Sequence, residues 1–284
     1  MGLLKTVFLL IDKNKQEPLL ESPAYRFFER ELKAAGISRQ LLFDPEKLEA
    51  ERSSSLIITT ECDWMDRLDT AAYCCLGLAD PGFSADSLVN DDPFILDVSV
   101  QGDMPLPSFP GAAALLLSLQ DVSASYLEMQ LCHFLGEPFV VAETGHLILR
   151  ESTPADFNDL LPLILELPDP PFPVVEPDPR LKEAYLAYIE HAYQFFGYGV
   201  WTIVERSSRQ VIGWCGLYND PELHLGYVIH PDFRRRGYAL EACQAILRYA
   251  AQDLDTEIVF ARIRRENTAS IHLAQQLGLD ILLV

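Results

Sequence analysis

The stretch 223–250, LHLGYVIHPDFRRRGYALEACQAILRYA, constrains the fold more than any other part of the chain. An apolar, strand-like run ends at His230 and Pro231, a short loop carries Arg234, Arg235 and Arg236, and a long helical pattern begins at Gly237. This helix reads as opening without an acidic first turn. A helix start offers unpaired N–H groups and the positive end of the helix dipole, which together form an anion site. Glycine lets the backbone approach a phosphate closely, and arginines add charge-assisted contacts. Alone, R-x-x-G-x-A is a weak pattern; its place between a strand and a helix makes it informative.

The rest of the chain supplies a sheet for that strand. HLILRES (146–152) reads as a strand, and Thr153, Pro154 and Asp156 read as the cap, first turn and reciprocal cap of a following helix. A proline-rich loop (168–180) and the helix LKEAYLAYIEHAYQFF come next. Three strands follow at 200–206, 210–218 and 223–230, the first two joined by a hairpin at Ser207–Arg209. After helix 237–252 come strand 257–263, helix 267–278 and a last strand, DILLV. Upstream, residues 3–11, 56–60, 73–78 and 94–98 read as short strands. Residues 22–36, 63–72 and 123–134 read as helices, with Ser22 and Gly36 as the stops of the first. The expected fold class is α/β, with a small Rossmann-like domain at 1–145 and a second domain at 146–284 whose sheet is mixed and mostly antiparallel. The layout of 56–78 resembles half of a haloacid-dehalogenase-like Rossmannoid domain in degenerate form. That family needs an Asp-x-Asp pair after its first strand, and Asp12-Lys13-Asn14 supplies one Asp. Asp91–Asp92 offers a metal-binding pair on paper, but adjacent loop acids are usually just solvated.

A formal charge of −20 is spread over both halves, −13 for residues 1–145 and −7 for 146–284. Such a surface repels nucleic acid; it reads either as a plain solubilising surface or as one that steers a cationic amine. No apolar run approaches a membrane span. The six cysteines form no C-x-x-C pair and no zinc spacing, so they read as reduced core thiols of a cytoplasmic protein with no metal.

HLILRESTPADFNDLLPL, LGYVIHPDFRRRGYA and RRENTASIHLAQQLGL, in this order, resemble the GNAT superfamily, in particular its ribosomal-protein-alanine acetyltransferase (RimJ/RimL-type) branch. The resemblance covers 146–284 and implies an acetyl-CoA-dependent N-acetyltransferase. It implies that the amides of Arg235, Arg236, Gly237, Tyr238 and Ala239 cradle the CoA pyrophosphate and that Arg234 supports the loop. The main chains of Tyr227, Val228 and Ile229 would pair with the pantetheine arm, and Asn267 and Ser270 would contact the cofactor or hold the last helix. Asn267 reads equally well as a plain N-cap. The acceptor amine, a protein N-terminus or a small molecule, must be deprotonated before it attacks. His224 stands where relatives often place a Glu and is the first candidate base; Glu222 is the alternative.

Two features depart from the family pattern. Many relatives carry a Tyr four residues after the Ser to protonate the leaving thiolate; here that position is Ala274. The chain also stops five residues after Leu279, so a last strand is expected to be missing and its edge covered by the N-terminal domain or a second subunit. An alternative reading is a non-catalytic acyl-CoA-binding regulatory module. Another makes the N-terminal domain a phosphohydrolase, against which the missing Asp-x-Asp counts. Tyr185, Tyr188, His191 and Phe195 could line an acceptor pocket, though an aromatic stripe at helical spacing is more often core.

Overall fold

In the computed structural model the chain forms two compact units, Met1–Glu137 and Pro138–Val284. The structure describes residues 2–79, 108–120, 122–165, 179–219, 223–254, 256 and 259–284. The expected strand at 94–98, the Asp91–Asp92 pair and Glu222 lie outside them.

In the first unit, strands β1 (Thr6–Leu10), β2 (Ser38–Leu42), β3 (Ser55–Thr59), β4 (Cys74–Leu78) and β5 (Ala114–Leu116) lie in the order β2-β1-β3-β4-β5. All neighbours are parallel. β1 and β3 are buried at nearly every position because a parallel sheet is covered on both faces. Alternation sends Val7, Leu9, Leu56 and Ile58 into a core with Phe28 and Leu32 of helix α2 (Pro23–Ala35) and Leu127 and Leu131 of helix α3 (Ala124–Leu135). Phe8, Leu10 and Ile57 go the other way, onto Met65 and Leu68.

Ser22 caps α2 through Tyr25 N–H (3.1 Å), and Gly36 ends it. Asp12 is spent on a cap as well: its carboxylate accepts the Asn14 N–H (2.8 Å) at the start of helix α1 (Lys13–Glu21). The helix expected at 63–72 is a short 3-10 turn (Cys62–Trp64) followed by turns. Aspartates there compete for the backbone, and Asp69 accepts from Ala72 N–H (3.2 Å).

The second unit holds a seven-stranded sheet in the order β12-β11-β10-β9-β8-β7-β6. Its strands are β6 (Val140–Glu143), β7 (Leu147–Glu151), β8 (Val200–Glu205), β9 (Val211–Asn219), β10 (Leu223–Ile229), β11 (Phe260–Ile263) and β12 (Asp280–Leu283). Neighbours from β6 to β10 are antiparallel, while β10–β11 and β11–β12 are parallel. Because Val140–Glu143 pairs with β7, the division falls at Glu137/Pro138 rather than at 145/146.

Helices α4 (Phe157–Leu165) and α5 (Pro179–Phe196) pack Phe157, Leu160, Ile164 and Tyr185 against Val200 and Trp214. Helix α6 (Tyr238–Asp253) takes the opposite face, where Tyr249 meets the Trp201 ring edge-on (5.4 Å) and Cys243 meets Cys215 (3.9 Å between sulfurs). Helix α7 (Thr268–Leu277) packs Ile271 and Ala274 on Ala261 and Ile263. Beneath α4, Arg150 grips Asp156 with two bonds of 2.7 Å, and Asp156 also accepts Thr153 N–H. Burial acts to raise the Asp156 carboxyl, but Arg150 and Thr153 together hold it below the ordinary carboxylate value.

Candidate functional site

The site begins with an open strand edge. His230 donates its N–H to Ile212 C=O (2.7 Å). Main-chain groups alternate sides along a strand, so Val228 and Gly226 also face β9, while Tyr227 and Ile229 face the other way. Gly213 makes this close: a Cβ there would lie 2.0 Å from the Val228 carbonyl oxygen. On its other side β10 pairs with β11 at His224↔Phe260 alone among the described residues. The two strands then part, and the Tyr227 N–H and C=O and the Ile229 N–H face the gap. The Ile229 C=O is taken by Arg234 Nε (2.8 Å). Of the three residues expected to pair with an extended ligand, Tyr227 and Ile229 are therefore available, whereas Val228 is used by the sheet.

The gap leads into the loop 231–237. Arg235 (φ 61°) and Gly237 (φ 84°) both adopt the left-handed conformation, which bends successive N–H groups toward one concavity. No heavy atom lies within 4 Å of a Cβ built on Gly237, so its glycine answers to backbone conformation and not to crowding. The first helical bond of α6 is Glu241 N–H to Gly237 C=O (3.1 Å). The N–H groups of Tyr238, Ala239 and Leu240 therefore have no partner within the helix. The whole loop from Arg234 to Gly237 is exposed.

The three arginines divide their work. Arg234 braces the loop on Ile229, and Arg236 braces it on the Asp232 C=O (2.8 Å) while lying over the Phe233 ring. Arg235 has no ion pair among the described residues and is the one of the three whose head is uncommitted.

Two carboxylates that the sequence reading passed over hold this loop. Glu205, nearly buried at the end of β8, accepts from Tyr238 Oη (2.7 Å) and Ser208 Oγ (2.7 Å) and lies 3.9 Å from Arg236. Bonds from Ser208 and then Tyr238 hold its carboxyl below the ordinary value, and the same bond raises the Tyr238 hydroxyl. Glu241 lies in the first turn of α6, so that turn is acidic after all. Its carboxylate is turned away to the N–H (2.8 Å) and Nδ1 (3.0 Å) of His146. The signal for Glu205 was its place before the Ser207–Arg209 turn, but strand spacing does not say which α6 side chain it meets.

The remaining candidates fall in several places. His224 is buried on β10, its ring edge-on to Tyr218 with centroids 3.8 Å apart. Asn267 is the N-cap of α7 and accepts Ser270 N–H (3.1 Å). Ser270 Oγ meets Tyr227 Oη (3.0 Å), which ties α7 to the open strand, and burial raises the Tyr227 hydroxyl. Ala274 is core, packed with Ile271, Ala261 and Ile263. Tyr185 and Tyr188 are structural: one donates to Thr153 C=O (2.9 Å), the other accepts Val200 N–H (2.9 Å). His191 is exposed, and the Phe195 side chain lies outside the described set. No cluster of three or more metal-ligating side chains occurs among the described residues.

Residues 146–280 match the family model of the acetyltransferase (GNAT) domain. YjdG, an uncharacterized N-acetyltransferase of Bacillus subtilis, is 27% identical over 86 residues, which span 29% of this chain and 51% of that protein. YnaD, another from Bacillus subtilis, is 29% identical over 80 residues, 27% of this chain and 47% of its own. The chain thus spans about half the length of these curated relatives. Among solved structures, an acetyltransferase from Agrobacterium tumefaciens shares 23% identity over 48% of this chain and 81% of its own, with a TM-score of 0.41. The spermidine/spermine N-acetyltransferase SpeG from Vibrio cholerae shares 19% over 48% and 80%, with a TM-score of 0.39. On the family match and the strand–loop–helix geometry together, residues 146–280 belong to the acetyltransferase (GNAT) family.

Proposed function

We propose that the C-terminal unit is an acetyl-CoA-dependent N-acetyltransferase acting on a primary amine, either a protein N-terminus or a small molecule. The observation that carries this reading is the unpaired edge at Tyr227 and Ile229 running directly into the left-handed turns at Arg235 and Gly237. An arm with amide groups fits such an edge as an added strand, and a pyrophosphate fits the N–H groups at the α6 start. Acetyl-CoA supplies the acetyl group as a thioester.

The chain's own residues have four tasks. The free N–H groups of Tyr227 and Ile229 orient the arm and polarise a carbonyl placed beside them. Arg235 contributes charge, while Arg234 and Arg236 keep the loop in shape. The amine nitrogen attacks the thioester carbonyl carbon, and the C–S bond breaks. The amine proton passes to a base, His224 or Glu222, through water where the ring is buried. The thiolate leaves without a dedicated acid, since a thiol with a pKa of about 8.5 is a competent leaving group. The packing of Ala274 in the core favours this over an acid at that position.

The same residue supports a second reading, a module that binds acyl-CoA without turning it over. Thiol release with acetyl-CoA and a panel of peptides, polyamines and aminoglycosides, beside calorimetry with coenzyme A, separates the two. Thiol release dependent on one amine class is the expected result. Tight binding with no turnover on any amine favours the binding module, and no binding of coenzyme A overturns both.

A further inference from the structure

We propose that the N-terminal unit carries a second, independent anion site: a groove between α2 and the edge strand β2 that takes a small, multiply charged phosphate-class ligand. The groove has a volume of about 590 Å³, within the range of small-ligand pockets. Arg26, Arg30 and Lys33 reach it from α2 and Arg39 from β2, while Leu32 and Ile37 supply its apolar lining. The spacing of the three α2 residues, four and then three apart, places them on one helical face.

Charge makes this arrangement notable. Residues 1–145 carry 23 acids and 10 bases, yet four of those bases line one groove, with Glu29 the one carboxylate among its lining residues. Glu29 pairs with Arg39 (2.7 Å). Arg26, Arg30 and Lys33 have no ion pair among the described residues.

Two of the guanidinium heads are already positioned. Arg39 lies over the Tyr25 ring, 5.4 Å from its centroid, and Arg30 over the Phe27 ring at 5.1 Å. Stacking of this kind lowers the ordering cost of binding, and the planar fork suits phosphate oxygens. Charges that merely blunt a sheet edge would explain Arg39, but they leave the three cations on the helix unaccounted for. A long polyanion is disfavoured because the rest of the −20 surface would repel it, so the ligand is compact.

The test uses the full chain with tripolyphosphate as probe, in calorimetry at constant ionic strength and with coenzyme A present to fill the C-terminal loop. Arg30→Gln/Lys33→Gln is compared with Arg248→Gln, which removes from the other unit an exposed cation of α6 outside the loop. The expected result is saturable binding that weakens about tenfold or more in the double variant and is unchanged in Arg248→Gln. Absence of saturable binding, or equal affinity in the double variant and the parent, overturns the site. Tighter binding of a short DNA duplex than of tripolyphosphate overturns the compact-ligand assignment.

Discussion

Glu205 illustrates what one side chain contributes to a site built mostly of backbone. A cradle of N–H groups works only if the loop is held in the left-handed turns at Arg235 and Gly237. Glu205 fixes the residue just after them by accepting from Tyr238, and it attracts Arg236 on the other flank. It is a positioning residue, since its contacts are to the loop and not to the reacting atoms. Glu205→Gln keeps the shape but replaces one acceptor oxygen with a donor, so either Ser208 or Tyr238 loses its partner. On the proposed function, the KM for acetyl-CoA should rise roughly tenfold while kcat changes less than about twofold. Tyr238→Phe, which leaves Glu205 charged, should show a smaller rise. A fall in kcat with KM unchanged would mean that Glu205 acts on the chemistry, and the positioning role would be lost. None of this was legible from the sequence. The loop could be read because strand, arginines and glycine follow one another, but Glu205 lies about thirty residues away on another strand. The alternation that removes Val228 from the open edge was legible in principle, since period two follows from strand geometry. It needed one anchoring bond, His230 to Ile212, to set its phase.

At the scale of elements, the best-read segments were those whose local signals agreed. Ser22, Pro23 and Gly36 bracket α2, and Thr153, Pro154 and Asp156 open α4. The elements missed were those with weak patterns. α1 is polar and contains Pro18, β2 is a half-exposed edge, β5 has three residues, and β6 is a four-residue edge strand. The Thr153–Asp156 box proved to be more than a cap, because Arg150 on β7 joins it and locks strand to helix. That pairing has a pH signature. The folded Asp156 value is below the unfolded one, about 3.9, so its stabilisation is complete above the unfolded value and is lost as pH falls through the folded one. Asp156→Asn leaves the half-buried Arg150 without its counter-charge, a loss of up to about 3 kcal/mol. At about 2–4 °C per kcal/mol this lowers the melting temperature of the C-terminal unit by up to roughly 6–12 °C at pH 7. Trp201 and Trp214, both in this unit, report the transition by fluorescence. The difference between the variant and the parent should shrink as pH is lowered below the unfolded carboxylate value of about 3.9. A difference that stays constant with pH would show that the charge of Asp156 is not what stabilises the contact.

For the whole molecule, the charge distribution sets opposite demands on the two proposed substrates. A net charge of −20 attracts a polyamine or a peptide ammonium group and repels the phosphates of acetyl-CoA. The local field of Arg234, Arg235 and Arg236 and the α6 dipole must overcome that repulsion within a few ångströms. The long-range attraction of the amine works at a distance and is screened once the Debye length shrinks from about 30 Å at 0.01 M salt to about 8 Å at 0.15 M. The two contributions therefore separate by salt. If the acidity steers the acceptor, kcat/KM for a triamine should fall about three- to tenfold over that range, while a monoamine of similar size falls less than about twofold. Acetyl-CoA should lose less affinity than the triamine loses rate, because screening weakens both its long-range repulsion and its local contacts. Equal salt dependence for the two amines would leave the charge as a solubilising surface with no part in acceptor choice. In that case selectivity would have to come from shape at the mouth of the β10–β11 gap, where Tyr227 and Ser270 already join the open strand to α7.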